Sequence, residues 1–295
     1  MIISTDNSVI RNALGDQRAL RLIREAGFDG VDYSFYDMKE DLFALPDSQL
    51  YARADSIRAT AEDLGLCFPQ SHAPFRYRFG EGKNSKNYLD IVRSFEFCAR
   101  IGCTQMVIHT LKFPVTDRTT DVTAVNLEFL RGFLPYARNF NVRIGVENLF
   151  VTDDRRGCFV GHHGTPEQLN AFLDKLDDPM FVACCDLGHA AIVGTEPEAF
   201  IAGMQPHRLT MLHVQDTDYR HDSHTLPHLG LQHWDAVTSA LAAMGYQGAM
   251  NLEVLLYYAR FPQELYPAAL KLAAETARCL AADVERKRGQ TISAK

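Results

Sequence analysis

The chain has 295 residues, of which 46% are apolar and 23% are charged, as is usual for a folded globular protein. Its formal net charge is −7 at pH 7, whereas a protein that binds a phosphate backbone usually presents a basic face. The composition therefore disfavours nucleic acid as a partner. Length alone fits either one large α/β barrel or two small domains.

The sequence gives no sign of a membrane or export segment. No apolar run approaches the roughly 18 residues that a membrane span needs. The first residues, Met1–Asp6, lack both the charged region and the long apolar region of a signal peptide. We therefore expect a cytoplasmic protein with no membrane partner.

Short apolar runs alternate with longer amphipathic stretches along the whole chain, which is typical of strands that alternate with helices. The predicted strands cover residues 2–5, 30–34, 66–71, 105–108, 142–146, 181–185, 209–212 and 249–252. The predicted helices lie near residues 16–27, 48–64, 84–101, 121–139 and 165–176, after residue 195, and near residues 233–244 and 262–286.

One helix start is well defined by its residue types. Thr165 can cap the helix, Pro166 suits the first helical position, and Gln168 completes a capping box. The apolar residues that follow recur at the spacing of one helical face: Leu169, Phe172, Leu173 and Leu176.

Eight strands alternating with eight helices indicate parallel βαβ units. A doubly wound sheet is the rival arrangement, but eight repeats at this length favour closure into a single (β/α)8 TIM barrel. No linker-like change of composition interrupts the chain, so we expect one domain over residues 1–295.

Six consecutive predicted strands, the third to the eighth, are followed by a carboxylate or an imidazole. These residues are His72, His109, Glu147, Asp186, His213 and Glu253. Because the carboxyl ends of barrel strands meet at one mouth, we expect these side chains to converge. Three carboxylates at one spot repel one another unless a cation is present. Glu147, Asp186, His213 and Glu253 are therefore predicted to hold a divalent metal ion, and Mn, Mg, Co or Zn suits the donor set.

Other polar residues near the strand ends are candidates for the same site. His189 lies three residues after Asp186, and Asp222 and His224 share a face if their segment is extended, although a solvated loop is the alternative. We expect five residues to bind substrate or a second metal: His72, His109, His189, Asp222 and His224. The aromatic residues that could wall the pocket are Phe35, Tyr36, Phe75, Tyr77, Phe113, Phe150 and Tyr257.

These motifs resemble the xylose-isomerase-like barrel superfamily over nearly the whole chain. The superfamily includes ketose 3-epimerases, hydroxypyruvate isomerase, inosose dehydratase and the apurinic endonuclease IV enzymes. The resemblance rests on Val146-Glu147-Asn148, Asp186-Leu187-Gly188-His189, His213-Val214-Gln215-Asp216, Asp222-Ser223-His224 with Pro227 and Gly230, and Leu252-Glu253.

The resemblance implies an enzyme of carbohydrate metabolism, a metal-dependent isomerase or epimerase of a small-molecule sugar or polyol. In the epimerases the four residues that match Glu147, Asp186, His213 and Glu253 hold one ion. The resemblance then makes Glu147 and Glu253 the catalytic acid and base, and His189 a contact to substrate oxygens. Some relatives carry an arginine shortly after the strand-seven histidine, and Arg220 is the nearby candidate.

The resemblance also leaves other activities open. An inosose dehydratase-type lyase would share the same metal and base. An endonuclease IV-like zinc phosphodiesterase acting on abasic DNA would use nine residues: His72, His109, Glu147, Asp186, His189, His213, Asp222, His224 and Glu253. A sugar-binding regulator without turnover is a third class. The absence of a Gly-rich phosphate loop favours an unphosphorylated substrate, and a homo-oligomer stays open.

Overall fold

The predicted strands are all present in the computed structural model, which describes residues 1–36, 38, 41–153 and 157–293. The described residues form ten strands: β1 (Ile3–Asp6), β2 (Gly30–Ser34), β3 (Cys67–His72), β4 (Gln105–Val107), β5 (Arg143–Glu147), β6 (Phe150–Asp153), β7 (Gly157–Val160), β8 (Phe181–Asp186), β9 (Leu209–His213) and β10 (Met250–Leu252).

Eight of these strands form one parallel sheet in the order β10-β1-β2-β3-β4-β5-β8-β9. The sheet closes where Val214, just after β9, forms a parallel bridge with Leu252 of β10. Val214 N donates to Asn251 O at 2.8 Å, and Glu253 N donates to Val214 O at 3.0 Å. The (β/α)8 TIM barrel expected from the sequence is therefore confirmed, and its carboxyl-terminal strand ends share one mouth.

The helices lie outside this barrel. They are α1 (Ser8–Leu14), α2 (Asp16–Ala26), α3 (Asp47–Leu64), α4 (Lys86–Ile101), α5 (Val122–Arg131), α6 (Leu134–Phe140), α7 (Pro166–Leu176), α8 (Leu187–Ile192), α9 (Pro197–Gly203), α10 (Trp234–Met244), α11 (Leu255–Ala259) and α12 (Tyr266–Ser293). Two short 3-10 turns cover Leu42–Ala44 and Gln263–Leu265. None of the described helices is long and apolar enough to cross a membrane.

Local sequence accounts for the start and the buried face of α7. The Thr165 side chain accepts a hydrogen bond from Gln168 N at 3.3 Å, and Pro166 occupies the first turn, where its missing N–H costs nothing. The apolar face predicted for this helix is buried against the barrel, namely Leu169, Phe172, Leu173 and Leu176.

The structure departs from the predicted elements in several places, and the short helices α1, α8 and α11 were not predicted. The helix expected over residues 121–139 is two helices, α5 and α6, because Pro135 cannot donate the backbone hydrogen bond that would join them. The antiparallel hairpin of β6 and β7 has no counterpart among the predicted elements. This hairpin follows β5 directly and therefore lies at the mouth of the barrel.

Candidate active site

The residues predicted from the strand ends lie together at the carboxyl-terminal mouth. His72, Glu147, Asp186 and His213 are the last residues of β3, β5, β8 and β9, and Glu253 directly follows β10. Parallel register places these ends side by side; Asp186, for example, pairs with His213. The fold alone thus brings these side chains from distant parts of the sequence to one place.

Glu147, Asp186, His213 and Glu253, here called the central group, offer four donor atoms within 4.8 Å of one another. His213 Nδ1 lies 2.8 Å from Glu147 Oε1 and 3.4 Å from Glu253 Oε2, so the two glutamates approach the imidazole from different strands. All four side chains are buried. The structure therefore brings together the four residues that the sequence predicted as metal ligands.

The chemistry of the central group fits a divalent cation. Its three carboxylates are buried, and among the described residues their ion-pair partners are histidines rather than lysine or arginine. Buried like charges are costly unless a counter-charge offsets them. Oxygen donors with one imidazole suit Mn, Mg, Co or Zn.

Burial and neighbouring charge drive the two glutamates toward opposite protonation states. Burial raises the pKa of Glu253 well above its usual range, and the carboxylates of Glu147 and Asp186 raise it further. Burial acts in the same direction on Glu147, but His213 and His109 together hold its pKa well below the usual range. In the protein without metal, the surroundings therefore favour the carboxylate form of Glu147 and the carboxylic acid form of Glu253, a separation that suits an acid–base pair.

The five residues predicted to bind substrate or a second metal form two further groups of donors. His72, His109 and Glu147 make up the first flanking group, in which His109 Nε2 lies 2.9 Å from His72 Nε2 and 2.7 Å from Glu147 Oε2. His189, Asp222 and His224 make up the second flanking group, in which Asp222 Oδ2 lies 3.5 Å from His189 Nε2 and 3.2 Å from His224 Nε2.

The surroundings of His72, in the first flanking group, favour the neutral form of its imidazole. Burial, together with the neighbouring His109, lowers the pKa of His72 to about 3. His72 Nδ1 faces Ala73 O at 2.9 Å, which leaves Nε2 directed at His109. A neutral imidazole with a free ring nitrogen can bind either a cation or a substrate hydroxyl.

The surroundings of His189, in the second flanking group, instead favour the protonated form of its imidazole. Burial lowers the pKa of His189, but the carboxylates of Asp186 and Asp222 raise it to about 10. His189 Nδ1 donates to Asn148 O at 2.9 Å, so Nε2 faces Asp222. Without metal this imidazole is protonated and can donate to a substrate oxygen.

Two amide side chains, which were given no role in the sequence analysis, fix the orientation of these donors. Asn148 donates to Asp186 O at 2.9 Å and accepts from Asp186 N at 2.7 Å. Gln215 donates to Asp186 Oδ2 at 3.1 Å and to Asp222 Oδ1 at 2.9 Å, and it accepts from His224 N at 2.8 Å. Both amides belong to the motifs that carried the resemblance, which is the signal that could have identified them.

Asp32 of β2 is a further residue that the sequence analysis missed. It is buried inside the barrel, and Asp32 Oδ2 lies 3.9 Å from His213 Nε2 on the side opposite the central group. Gln70 and Asn251 donate to the same oxygen at 2.9 and 3.0 Å. The distance of 3.9 Å to His213 is too long for a hydrogen bond, so Asp32 acts on the imidazole through its charge, which raises the pKa of His213.

The segment between β9 and α10, called here the β9–α10 loop (residues 214–233), is tied to one buried carboxylate. Asp216 accepts from Thr217 N, Gln232 N and His228 N at 2.8–3.2 Å, and from the Trp234 indole at 2.8 Å. Gly230 passes so close that an added Cβ would lie 2.2 Å from Asp216 Oδ1. Because this loop carries Asp222 and His224, Asp216 positions the second flanking group.

A cavity of about 480 Å³ opens over these donors and reaches Glu147 and Glu253 at its base. Phe79 and Phe129, which were not predicted, line it. Four of the predicted aromatic residues line it as well, namely Tyr36, Phe75, Tyr77 and Phe150. The other three do not line it, since Phe35 and Tyr257 are buried in the core and Phe113 packs on Phe79 at 5.4 Å. Arg220, the predicted arginine, is exposed and does not line it either.

Comparison with known proteins agrees with this architecture. The curated protein y4fM of Sinorhizobium fredii, described as uncharacterized, is 27% identical over 304 residues and is matched over 88% of both chains. The crystal structure of D-psicose 3-epimerase in the presence of D-fructose is similar with a TM-score of 0.71 and 14% identity, over 96% of this chain and 99% of that one. The crystal structure of the IOLI protein with a binding zinc atom has a TM-score of 0.68 and 17% identity, over 96% and 98%.

At these identities the two crystal structures support the fold rather than a shared activity. The family is shown by a different comparison, in which the model of the xylose isomerase-like TIM barrel matches residues 20–281. This range contains every member of the central and flanking groups. The resemblance drawn from the sequence motifs is thereby confirmed: the chain belongs to the xylose isomerase-like TIM barrel family.

Proposed function

We propose that this protein is a divalent-metal-dependent isomerase or epimerase of a sugar or polyol, in which Glu147 and Glu253 transfer protons to and from substrate carbon. One observation carries the proposal: the two glutamates flank His213 Nδ1 at 2.8 and 3.4 Å, at the base of a single cavity. Two carboxylates on either side of one substrate position are what proton removal and return require.

The central group would hold the ion. When bound, a divalent ion supplies positive charge that stabilises the enediolate formed from a carbonyl and its adjacent hydroxyl. One glutamate takes the carbon-bound proton, and the other returns a proton. Return to the same carbon from the opposite face gives the epimer, and return to the neighbouring carbon gives the isomer.

The flanking groups would bind the remaining substrate oxygens. His189 donates through Nε2, since its Nδ1 is held by Asn148 O, and His72 and His109 face the cavity from the other side. The aromatic walls exclude water from the reacting carbon. The solved D-psicose 3-epimerase and the zinc-bound IOLI protein share this fold, which is consistent with sugar chemistry and a metal.

Exchange in D2O tests the proposal directly. The purified protein would first be analysed for bound metals and then incubated with ketoses and inososes, with deuterium uptake at carbon followed by NMR. We expect Glu253→Gln to abolish uptake while circular dichroism stays unchanged, because an amide cannot accept the proton. Glu264→Gln, at an exposed position away from the cavity, is the matched control. Full exchange in Glu253→Gln would reject the assignment.

A zinc phosphodiesterase acting on abasic DNA is the second candidate. The observation that favours it is the presence of both flanking groups beside the central group. Together the three groups comprise all nine residues that an endonuclease IV-like enzyme would use. Against it stand the net charge of −7 and the aromatic cavity. Three zinc ions per chain with incision of an abasic duplex would favour it over the proposed isomerase.

A further inference from the structure

Two basic side chains line the cavity, namely Arg78 and Lys112. Arg78 lies in the segment after β3, and Lys112 lies in the segment after β4. Both line the same cavity as Glu147 and Glu253. Among the described residues neither Arg78 nor Lys112 forms an ion pair with a carboxylate. Their positive charge is therefore available to something that enters the cavity.

Arg78 is held in place by groups that leave its charge intact. Its Nη1 donates to Phe75 O at 3.1 Å and to Tyr77 O at 3.3 Å. The nearby Glu81 carboxylate bonds the backbone rather than the guanidinium of Arg78, since it accepts from Arg78 N at 3.0 Å and from Asn87 Nδ2 at 2.9 Å. The rest of the guanidinium can still donate to two oxygens of an anion at once.

Lys112 is positioned by an aromatic ring. Its Nζ lies 4.8 Å from the centroid of the Phe150 ring, a cation–π distance. The same ring packs against His189, with centroids 4.9 Å apart. One ring therefore separates the ammonium group from the second flanking group, which places it within reach of a ligand that also contacts His189.

The cavity is thus divided by charge, with carboxylates and imidazoles at its base and two cations farther out. We propose that Arg78 and Lys112 form a subsite for an anionic substituent of the substrate, so that the substrate class is a sugar acid or a sugar phosphate. The assignment of the substrate as a sugar rests on the proposed function. Carboxylate and phosphate share the same recognition by a forked guanidinium and an ammonium.

This subsite differs from the expectation of an unphosphorylated substrate, which was based on the absence of a Gly-rich loop. Such loops bind phosphate through backbone N–H groups, whereas here side chains would do so. A DNA duplex fits less well. Arg78 and Lys112 are the two permanent cations among the described residues that line the cavity, and duplex binders usually contact several phosphates.

Binding measurements on the metal-loaded protein test the subsite. Calorimetric titration would compare D-fructose with D-fructuronate and D-fructose 6-phosphate. We expect at least one anionic sugar to bind about tenfold or more tightly than D-fructose, the order of magnitude of one charge-assisted hydrogen bond. The tighter of the two anions identifies the substituent. Equal affinities for all three, or no measurable binding of either anionic sugar, would overturn the proposal.

Charge variants separate the subsite from general electrostatic attraction. Arg78→Gln with Lys112→Gln should abolish the preference for the anionic sugar, whereas Arg78→Lys with Lys112→Arg should keep most of it. Arg76→Gln is the matched control, because Arg76 is exposed on the same segment but does not line the cavity. If Arg76→Gln weakened anion binding as much as the double variant, a specific subsite would be rejected.

Deuterium exchange on the same ligands keeps the two proposals distinct. Selective anion binding without exchange at carbon would support the subsite and contradict the isomerase proposal. Exchange on D-fructose and on the anionic sugars alike, with equal affinities, would support the isomerase and contradict the subsite. Both proposals are supported if exchange is fastest on the anionic sugar and the double variant removes that advantage.

Discussion

Asp216→Asn is a sharp test of how the β9–α10 loop is held. Each carboxylate oxygen of Asp216 accepts two hydrogen bonds: Oδ1 from Thr217 N and Gln232 N, and Oδ2 from His228 N and Trp234 Nε1. Asparagine has the same shape but keeps one accepting oxygen. Its NH2 group would therefore face two N–H donors in a fully buried place.

The cost follows from the number of bonds lost. A hydrogen bond to a charged acceptor contributes about 1.5–3 kcal/mol, and a buried donor left unpaired costs about 1–3 kcal/mol. Losing two of the four bonds therefore predicts a destabilisation of about 3–5 kcal/mol, after some relaxation of the loop. Asp218→Asn, on the exposed part of the same loop, keeps an oxygen for Arg220 N and His221 N and loses only the exposed contact to the His221 ring, so it should change stability by no more than about 1 kcal/mol.

Urea unfolding measures both variants. The fluorescence of Trp234, the single tryptophan of the sequence, reports on the Asp216 contact, and circular dichroism reports on the barrel. We expect the fluorescence transition of Asp216→Asn to move to lower urea concentration, ahead of or together with the dichroism change. If Asp216→Asn were no less stable than Asp218→Asn, the loop would not depend on this carboxylate and our reasoning would be wrong.

Three further predictions concern the donors at the mouth. Burial lowers the pKa of His213, but Glu147 and Asp32 raise it to about 9, and the pKa of His189 is raised to about 10. The stability that these imidazoles contribute is complete below about pH 6.5 and is lost as pH rises through 9–10, so thermal melts of chelated protein should fall over that range while metal-loaded protein holds its stability. Asp32→Asn should weaken metal affinity several-fold, measured by competition with a chelating dye, because a bound cation loses a nearby buried carboxylate; an unchanged affinity would contradict this role of the Asp32 charge. Asn148→Ala should cost about 2 kcal/mol or more in equilibrium unfolding, because Asp186 N and O lose their partner in a buried place; a change within 0.5 kcal/mol would contradict this.

The barrel and the central group could be predicted because they depend on short-range patterns and one rule of topology. Six of the eight predicted strands are followed by a carboxylate or an imidazole, such as Glu147 after Val146, and parallel closure brings all such ends to one mouth. No knowledge of the detailed packing is needed to place Asp186 beside His213.

Residues whose role depends on packing could not be found in this way. Asp32 lies between Val31 and Tyr33 and has the alternation of an ordinary strand, and only the closed barrel turns it toward His213. Arg78 and Lys112 lie in long segments without periodicity, so nothing local indicates that they face one cavity. The β6–β7 hairpin is a small, partly exposed ribbon, and its sequence therefore lacks a clear strand pattern.

Glu147 belongs to both the central group and the first flanking group. A carboxylate shared in this way makes two neighbouring positions interdependent, because any ion at either position would draw on the same carboxylate, through Oε1 on the side of His213 or Oε2 on the side of His109. Removing Glu147 would weaken both positions together, whereas replacing His72 would leave the four donors of the central group intact. The number of metal ions bound per chain in each of these two variants would therefore show which of the two positions holds an ion.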